Sequence, residues 1–139
     1  RDDVESRGLG DVYKRQSWYR VDRFLHRVPY EKTPEVYAAC DILLKTSLLE
    51  SFSYPPLEMM ASGGYVVAVP NGGNLEYLKD GENCILYPQG NLAEAKAAIE
   101  RILTDAELRK KLDTGAEETV KERNWKRIEP QILEQYLGK

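Results

Sequence analysis

The chain has 139 residues, of which 42% are apolar, which suits one domain with a single core that needs no metal or disulfide. Twenty Lys and Arg against 23 Asp and Glu give a net charge of -3 without a basic cluster, which argues against a duplex nucleic acid partner. No stretch reaches the roughly 18 apolar residues that cross a bilayer, so we expect a cytoplasmic protein whose membrane contact, if any, is peripheral and at the inner face.

The first 16 residues differ in character from the rest of the chain. They show neither helical nor strand periodicity, they are too charged for a signal peptide, and they contain the run DVYKRQ, which is similar to translated adapter sequence. We therefore predict that residues 1–16 are disordered or a non-native leader and that residues 17–139 form the domain.

From residue 17, short apolar runs alternate with helical stretches, a pattern typical of a parallel sheet covered by helices. In chain order the pattern predicts a strand within 18–28, a helix from an N-cap at Thr33 to Ala39, a buried strand at 41–45, a helix from near Pro56 to Gly63, a strand at 65–69, a helix capped by Asn74 and a short strand at 84–87. The predicted fold class is α/β, a Rossmann-like parallel sheet with extra helices at its C-terminal end.

Three helices are predicted after the last strand. The first has an apolar face that should cover the sheet, formed by Leu92, Ala95, Ile99 and Ile102. Thr104 and Glu107 have the spacing of a capping box for the second helix, and Trp125 is expected to anchor the third.

Sulfur-containing residues are assigned to the core. Cys40 and Cys84 lie in apolar surroundings without CxxC spacing or a His companion, which predicts two reduced core thiols, with a disulfide as the less favoured alternative. Met59 and Met60 are expected to fill the core beside a short helix.

Two loops could carry chemistry, because ligands of open parallel sheets bind beyond the carboxyl ends of the strands. The first carries Glu50 and leads to Glu58, so that both carboxylates could face one crevice and accept hydrogen bonds from vicinal hydroxyls. The second carries Gly72 and Gly73, where backbone N–H groups could approach a phosphate. Carboxylates that bind hydroxyls, together with nearby amides that bind phosphates, would suit a nucleotide-diphosphate sugar as the ligand.

Four features from about residue 18 to 88 occur together: Tyr37 with Asp41, Glu50 with Glu58, the Gly72-Gly73 loop with Glu76, and Asp80-Gly81 with Asn83. In this combination the chain resembles the donor domain of the retaining GT-B glycosyltransferases that carry an E-x7-E motif. The run SFSYPPLEMM is similar in addition to transferases of bacterial rhamnose-rich or other cell-surface polysaccharides.

The resemblance implies a role for each motif residue. Glu50 would contact hydroxyls of the donor hexose and be the catalytic carboxylate, and Glu58 would contact the ribose. The remaining donor-binding residues would be Phe52, Ser53, Tyr54, Gly72 and Gly73, mainly through backbone amides against the diphosphate or the sugar. The donor is a substrate, and no metal or other cofactor is expected. The chain departs from the family pattern at Ser53, Tyr54, Met59 and Cys84.

The resemblance also implies that 17–139 is an incomplete domain. In the family's sheet order 3-2-1-4-5-6 the strands at 41–45, 65–69 and 84–87 are contiguous, the strand within 18–28 is the far edge, and a basic loop and an N-terminal acceptor domain lie outside this chain. We therefore expect this chain alone not to catalyse transfer to a glycan or lipid-linked acceptor. A non-catalytic GT-B binding module and a sugar-nucleotide epimerase are the alternatives.

Several candidate residues also have a structural interpretation. Glu58 in the first turn of a helix would stabilise the helix dipole by about 0.3 to 1 kcal/mol. Lys45 could meet a phosphate from the end of its strand, but a solvated lysine is the favoured interpretation. The other structural interpretations are a plain turn at Gly72-Gly73, core packing of Phe52 and Tyr54, a helix-start position for Glu76 and a solvated or packed His26.

Overall fold

The computed structural model describes Leu25 and residues 27–137. The predictions for residues 1–16 and His26, and nearly all of the strand predicted within 18–28, fall outside these residues. By its contacts the chain divides into two units, Arg1–Thr33 and Pro34–Lys139. The described part of the first unit includes a 3-10 helix at Tyr30–Lys32, and the site described below lies wholly within the second.

Three parallel strands form the described sheet, in the order β1-β2-β3. They are β1 (Ile42–Lys45), β2 (Tyr65–Ala68) and β3 (Ile85–Leu86). Lys45 pairs with Ala68, and Ala68 pairs with Leu86. The α/β class and the contiguity of these three strands are confirmed.

The middle strand is covered on both faces. Val66 and Ala68 belong to one buried cluster, whereas Val67 and Val69 belong to another, as the alternation of side chains along a strand requires. The prediction that β1 is buried is wrong, because Leu44 is 45% exposed. Among the described strands, β1 pairs only with β2, so no described strand pairs with its other edge.

Five α-helices accompany the sheet in the described chain. They are α1 (Thr33–Ala38), α2 (Tyr54–Ala61), α3 (Leu92–Thr104), α4 (Ala106–Glu122) and α5 (Trp125–Leu137). Helix α3 buries Ala95 and Ile102 in the same cluster as Val67, which confirms that it covers the sheet. Leu92 does not join this face and is 80% exposed, because the buried part of the helix begins one turn later.

Two predicted caps are wrong. Thr33 has helical dihedral angles because the 3-10 turn continues directly into α1, whereas an N-cap residue has non-helical angles. The cap of α4 is Asp105, whose side chain accepts a hydrogen bond from the N–H of Leu108. Thr104 is instead the last residue of α3.

The helix predicted after Gly73 is replaced by consecutive turns over residues 72–77. Asn71 takes the capping role assigned to Asn74, because its Oδ1 accepts from the N–H groups of Gly73 and Asn74. Asn74 is fully buried and bridges the turn by accepting from the N–H of Asn71 and donating to the carbonyl of Val69. Its side chain is therefore committed to the loop interior.

Two predictions about packing are also wrong. Trp125, expected to anchor α5, is 65% exposed, and no α5 residue is buried in the described chain. Cys40 is exposed, since it lies in the connection between α1 and β1. The assignments of Cys84, Met59 and Met60 to the core are confirmed, and burial raises the pKa of the Cys84 thiol to about 12.

Helix α2 begins two residues earlier than predicted and is preceded by an unusual residue. Ser53, its N-cap, has φ 68 and ψ 73, in the left-handed region that residues with a side chain rarely adopt. Its hydroxyl is buried without a hydrogen-bond partner in the described part of the chain. Ser53 therefore combines backbone strain with an unsatisfied polar group.

Gly115 in α4 gives a test of packing against the turn at Glu82. A Cβ on Gly115 would lie 2.3 Å from the carbonyl oxygen of Glu82. Gly115→Ala is therefore expected to lower the free energy of unfolding by about 1–3 kcal/mol, the usual cost of overpacking, although alanine favours an isolated helix by about 1 kcal/mol. Urea unfolding measures the change, with Thr114→Ala on the exposed face as the control; a stabilised Gly115→Ala variant would contradict the contact.

Ser53 gives a test of local strain. Ser53→Ala removes a buried hydroxyl whose desolvation costs about 1–3 kcal/mol, and Ser53→Gly also removes backbone strain of about 1–3 kcal/mol, against an entropy cost of about 0.5–1 kcal/mol. We expect both variants to unfold at a higher urea concentration than the unchanged chain, and we expect the glycine variant to be at least as stable as the alanine variant. Loss of stability in Ser53→Ala would mean that the hydroxyl has a partner.

Candidate functional site

Two loops meet at the carboxyl ends of the strands. Residues 46–53 follow β1 and carry Glu50, and the turn after β2 carries Gly73. A Cβ on Gly73 would lie 2.4 Å from the carbonyl oxygen of Glu50 and 2.8 Å from the carbonyl carbon of Ser51. The two backbones therefore touch at a point where no side chain fits, and the structure brings the two predicted loops together.

Hydrogen bonds join the same two loops at both ends. The Asn71 side chain donates through Nδ2 to the carbonyl of Ser47 at 3.0 Å, and the Tyr77 hydroxyl donates to the carbonyl of Ser53. Tyr77 is buried, and burial raises its pKa above the ordinary value, so the phenol remains a donor at neutral pH. The loop that carries Glu50 is thus fixed at residues 47 and 53.

Glu50 has a basic partner that the sequence interpretation did not assign to it. The ammonium of Lys45 contacts Glu50 Oε1 and donates to the Ser47 hydroxyl at 2.7 Å. The hydrogen bond from Lys45, followed by that from Ser47, holds the pKa of the Glu50 carboxyl below its ordinary value. The expectation of a solvated Lys45 is wrong, because only 14% of its side chain is exposed.

Glu58 lies in the second turn of α2, because the helix begins at Tyr54. The prediction of a first-turn position is therefore wrong, and stabilisation of the helix dipole, which falls off within the first turn, does not explain this residue. Its carboxylate faces Tyr37 instead. Burial, then the hydrogen bond and the charge of Glu58, raise the pKa of Tyr37 to about 12, so Tyr37 is a neutral donor at physiological pH.

Glu58 also lines a groove of about 330 Å³ between α2 and the junction of α4 with α5. Tyr54, Arg123 and Trp125 line the same groove. Glu50 does not line it. Both acids were predicted to be able to face one crevice, but only Glu58 lines this groove. Glu50 lies on the loop, whereas Glu58 lies more than one turn inside the helix.

The aromatic side chain of Phe52, in the Glu50 loop, packs against two other rings. The ring centroid of Phe52 is 5.0 Å from that of Tyr54 and 5.2 Å from that of Tyr77, and Phe52 packs against the buried cluster of α2. Arg123 reaches over Phe52 at 6.0 Å from the ring centroid and pairs with the carboxylate of Glu76. Phe52 thus fills the core with its side chain, whereas Tyr54 is 55% exposed.

Few backbone amides are available for an anion at the start of α2. The first helical N–H groups have no partner within a helix, but Pro55 and Pro56 carry none, so Ser53 and Tyr54 supply the donors there. In the second loop the N–H of Gly73 is bonded to Asn71. Gly72 is exposed, with open space where its side chain would be.

Two other kinds of site are absent from the described residues. No group of three or more His, Cys, Asp and Glu converges there as a set of metal ligands. None of the helices in that part of the chain has the length and apolar character to cross a membrane.

Sequence reasoning missed the residues that hold the loops together, which are Asn71, Tyr77 and Arg123, and misjudged Lys45. One signal was present for Lys45, a lysine that ends an apolar strand five residues before a candidate acid. The others carry no local signal, because their partners lie 24 to 47 residues away.

Comparison with known proteins gives one consistent family. Residues 21–119 match the family described as Glycosyl transferases group 1. The O-antigen biosynthesis protein RfbC of Myxococcus xanthus is 35% identical over 82% of this chain, which covers 9% of that protein. A D-inositol 3-phosphate glycosyltransferase of Thermomonospora curvata is 30% identical over 84% of the chain, which covers 27% of it. The chain thus spans well under a third of each of these relatives.

Solved structures give the same fold. Sucrose-phosphate synthase of Thermosynechococcus elongatus matches 84% of this chain and 29% of its own with a TM-score of 0.75 and 27% identity. Anabaena Alr3699/HepE, solved in complex with UDP, matches 77% of this chain and 30% of its own with a TM-score of 0.70 and 28% identity. Because the family covers most of the chain and the fold agrees, this chain belongs to the group 1 glycosyl transferases, with the fold of a GT-B domain.

Proposed function

We propose that this chain is the donor-binding part of a glycosyltransferase that transfers a hexose or deoxyhexose from a nucleotide-diphosphate sugar. The observation that carries the proposal is the meeting of the Glu50 loop with the Gly72-Gly73 loop at the carboxyl edge of the sheet. A neighbour with this fold, Alr3699/HepE, has been solved with UDP and with UDP-glucose. A nucleotide sugar is the ligand that matches both the fold and the chemistry of the loops.

In the proposed complex the two acids have separate tasks. Glu50, ionised beside Lys45, accepts hydrogen bonds from hydroxyls of the sugar. Glu58, oriented by Tyr37, accepts from the ribose. Glu58 lines a groove that Glu50 does not line, which supports contacts with two different sugar rings rather than one.

The diphosphate is assigned to the backbone between these acids. The N–H groups of Ser53 and Tyr54 and the open backbone at Gly72 are the donors proposed to meet it, while Gly73 supplies the close backbone approach. Phe52 supports this loop through its ring contacts with Tyr54 and Tyr77. No metal is required in this arrangement, which remains a prediction.

The name of one relative supports a proposal for the acceptor and the setting. RfbC is named for O-antigen biosynthesis, so we propose a glycan or lipid-linked acceptor and a role in cell-surface polysaccharide synthesis at the cytoplasmic face of the membrane. Relatives that contain this region are more than three times longer than the chain, so transfer is proposed to need the rest of such a polypeptide. Retention of configuration at the anomeric carbon is part of the proposal and comes from the resemblance alone.

The different tasks of the two acids give a test with the present chain. Glu50→Gln is expected to weaken binding of UDP-glucose about tenfold and binding of UDP by less than about twofold, because a hydrogen bond to a charged group contributes about 1.5–3 kcal/mol. Glu58→Gln is expected to weaken both ligands about tenfold, since both contain the ribose. Isothermal titration calorimetry measures the affinities.

Glu129→Gln, an exposed acid on α5, is the matched control and should bind both ligands like the unchanged chain. Equal loss of UDP and UDP-glucose in Glu50→Gln would assign Glu50 to folding or to the nucleotide rather than to the sugar. Failure of the unchanged chain to bind any member of a panel of nucleotide sugars in saturation-transfer NMR would contradict the proposed function itself.

A further inference from the structure

The lysine at the end of β1 is held more firmly than a surface lysine. Only 14% of the Lys45 side chain is exposed, compared with 76% for Lys96 on α3. Withdrawing an ammonium group from water is unfavourable unless charge and hydrogen bonds compensate. Lys45 has both forms of compensation, the carboxylate of Glu50 and the hydroxyl of Ser47.

The two members of the ion pair are anchored differently. Lys45 is the last residue of a strand, and its backbone is paired with Ala68 of the central strand. Glu50 lies on a loop outside the helices and strands, five residues later. The sheet therefore fixes the position of the ammonium, and the ammonium in turn restricts the carboxylate.

The contact uses one side of the carboxylate. Lys45 meets Oε1 of Glu50, whereas an ionised carboxylate has two oxygens with about four lone-pair sites. The pair thus leaves capacity for a hydroxyl ligand while it limits the rotation of the acid. A carboxylate held in this way loses less side-chain entropy when a ligand binds.

We propose that Lys45 is a positioning residue of the candidate donor site, which, fixed by the sheet and by Ser47, holds the carboxylate of Glu50 ionised and oriented toward a sugar hydroxyl. This inference rests on the proposed function, because the hydroxyl belongs to the nucleotide-sugar donor. Lys45 itself contacts Glu50 and acts through it.

The charges around Glu50 agree with this role. The hydrogen bond from Lys45 is the largest cause that lowers the pKa of Glu50, and Ser47 adds to it. The charge of Glu50 also acts on Tyr77 in the turn after β2: burial raises the pKa of Tyr77, and the charge of Glu50 contributes to that rise. Lys45 is therefore the cation that compensates this carboxylate among the described groups that act on it.

The first test needs no ligand. The side-chain carboxyl of Glu50 is titrated by carbon-13 NMR in the unchanged chain, in Lys45→Met and in Lys96→Met as the matched control for loss of one lysine. In Lys45→Met the titration midpoint of Glu50 should move to higher pH, toward that of an ordinary glutamate, because the partner that favours the charged form is gone. An unchanged midpoint would overturn the proposal.

The second test measures affinity for UDP-glucose at pH 7. Lys45→Met is expected to weaken binding about tenfold, or about 1.4 kcal/mol. The pH below which affinity is lost should also rise in this variant, because Glu50 becomes protonated at a higher pH. In the Glu50→Gln background the same substitution should change affinity by less than about twofold, because Lys45 acts through Glu50. Equal effects in both backgrounds would mean that Lys45 acts on the ligand or on the fold independently.

Two further outcomes are decisive. If Lys45→Met does not fold, Ser47→Ala replaces it and should move the Glu50 midpoint in the same direction by a smaller amount; no movement overturns the proposal. If the unchanged chain does not bind UDP-glucose or another nucleotide sugar, the proposed function fails and the role of Lys45 in the donor site fails with it, whereas the titration still reports whether Lys45 controls Glu50.

Discussion

The close approach of two backbones, Gly73 against Glu50 and Ser51, is the constraint on which the rest of the site depends. It holds the loop after β1 against the turn after β2 at a separation that excludes even one methyl group. Hydrogen bonds from Asn71 and Tyr77 then fix both ends of the first loop. The covered central strand beneath supplies the rigid base, because Val66 and Val67 are buried on opposite faces.

Charge at the site is organised locally in a chain that is acidic overall. Glu50 is balanced by a lysine from the sheet, and Glu58 lies beside Tyr37, a neutral tyrosine whose pKa it helps to raise. The two acids of one motif therefore differ in their surroundings. A carboxylate beside an ammonium stays charged as the pH falls, until its lowered pKa is reached, and both arrangements restrict where the oxygens lie.

The start of α2 shows how sequence departures alter a shared fold. Ser53 occupies a left-handed position and leaves its hydroxyl without a partner in the described chain, and two prolines follow Tyr54 and remove N–H groups from the helix end. The number of backbone donors at this end is small as a result. The loop that carries those that remain is held by the close approach of Gly73 and by hydrogen bonds from Asn71 and Tyr77.

Local patterns determined most of the element types, because strands, helices and buried methionines follow from apolar spacing, although the helix predicted after Gly73 is a series of turns. The motif residues indicated the family and the edge of the sheet where the candidate site lies. Three predictions from local patterns are wrong because a neighbouring group takes the position. The adjoining 3-10 turn and Asp105 replace the caps predicted at Thr33 and Thr104, and a contact with Glu50 replaces the solvent position predicted for Lys45. Only the tertiary structure decided the partners of Tyr77 and Glu58, since those contacts form between segments far apart along the chain. It also decided that Lys45 is withdrawn from solvent, because the position of Glu50 depends on how the loop after β1 folds back.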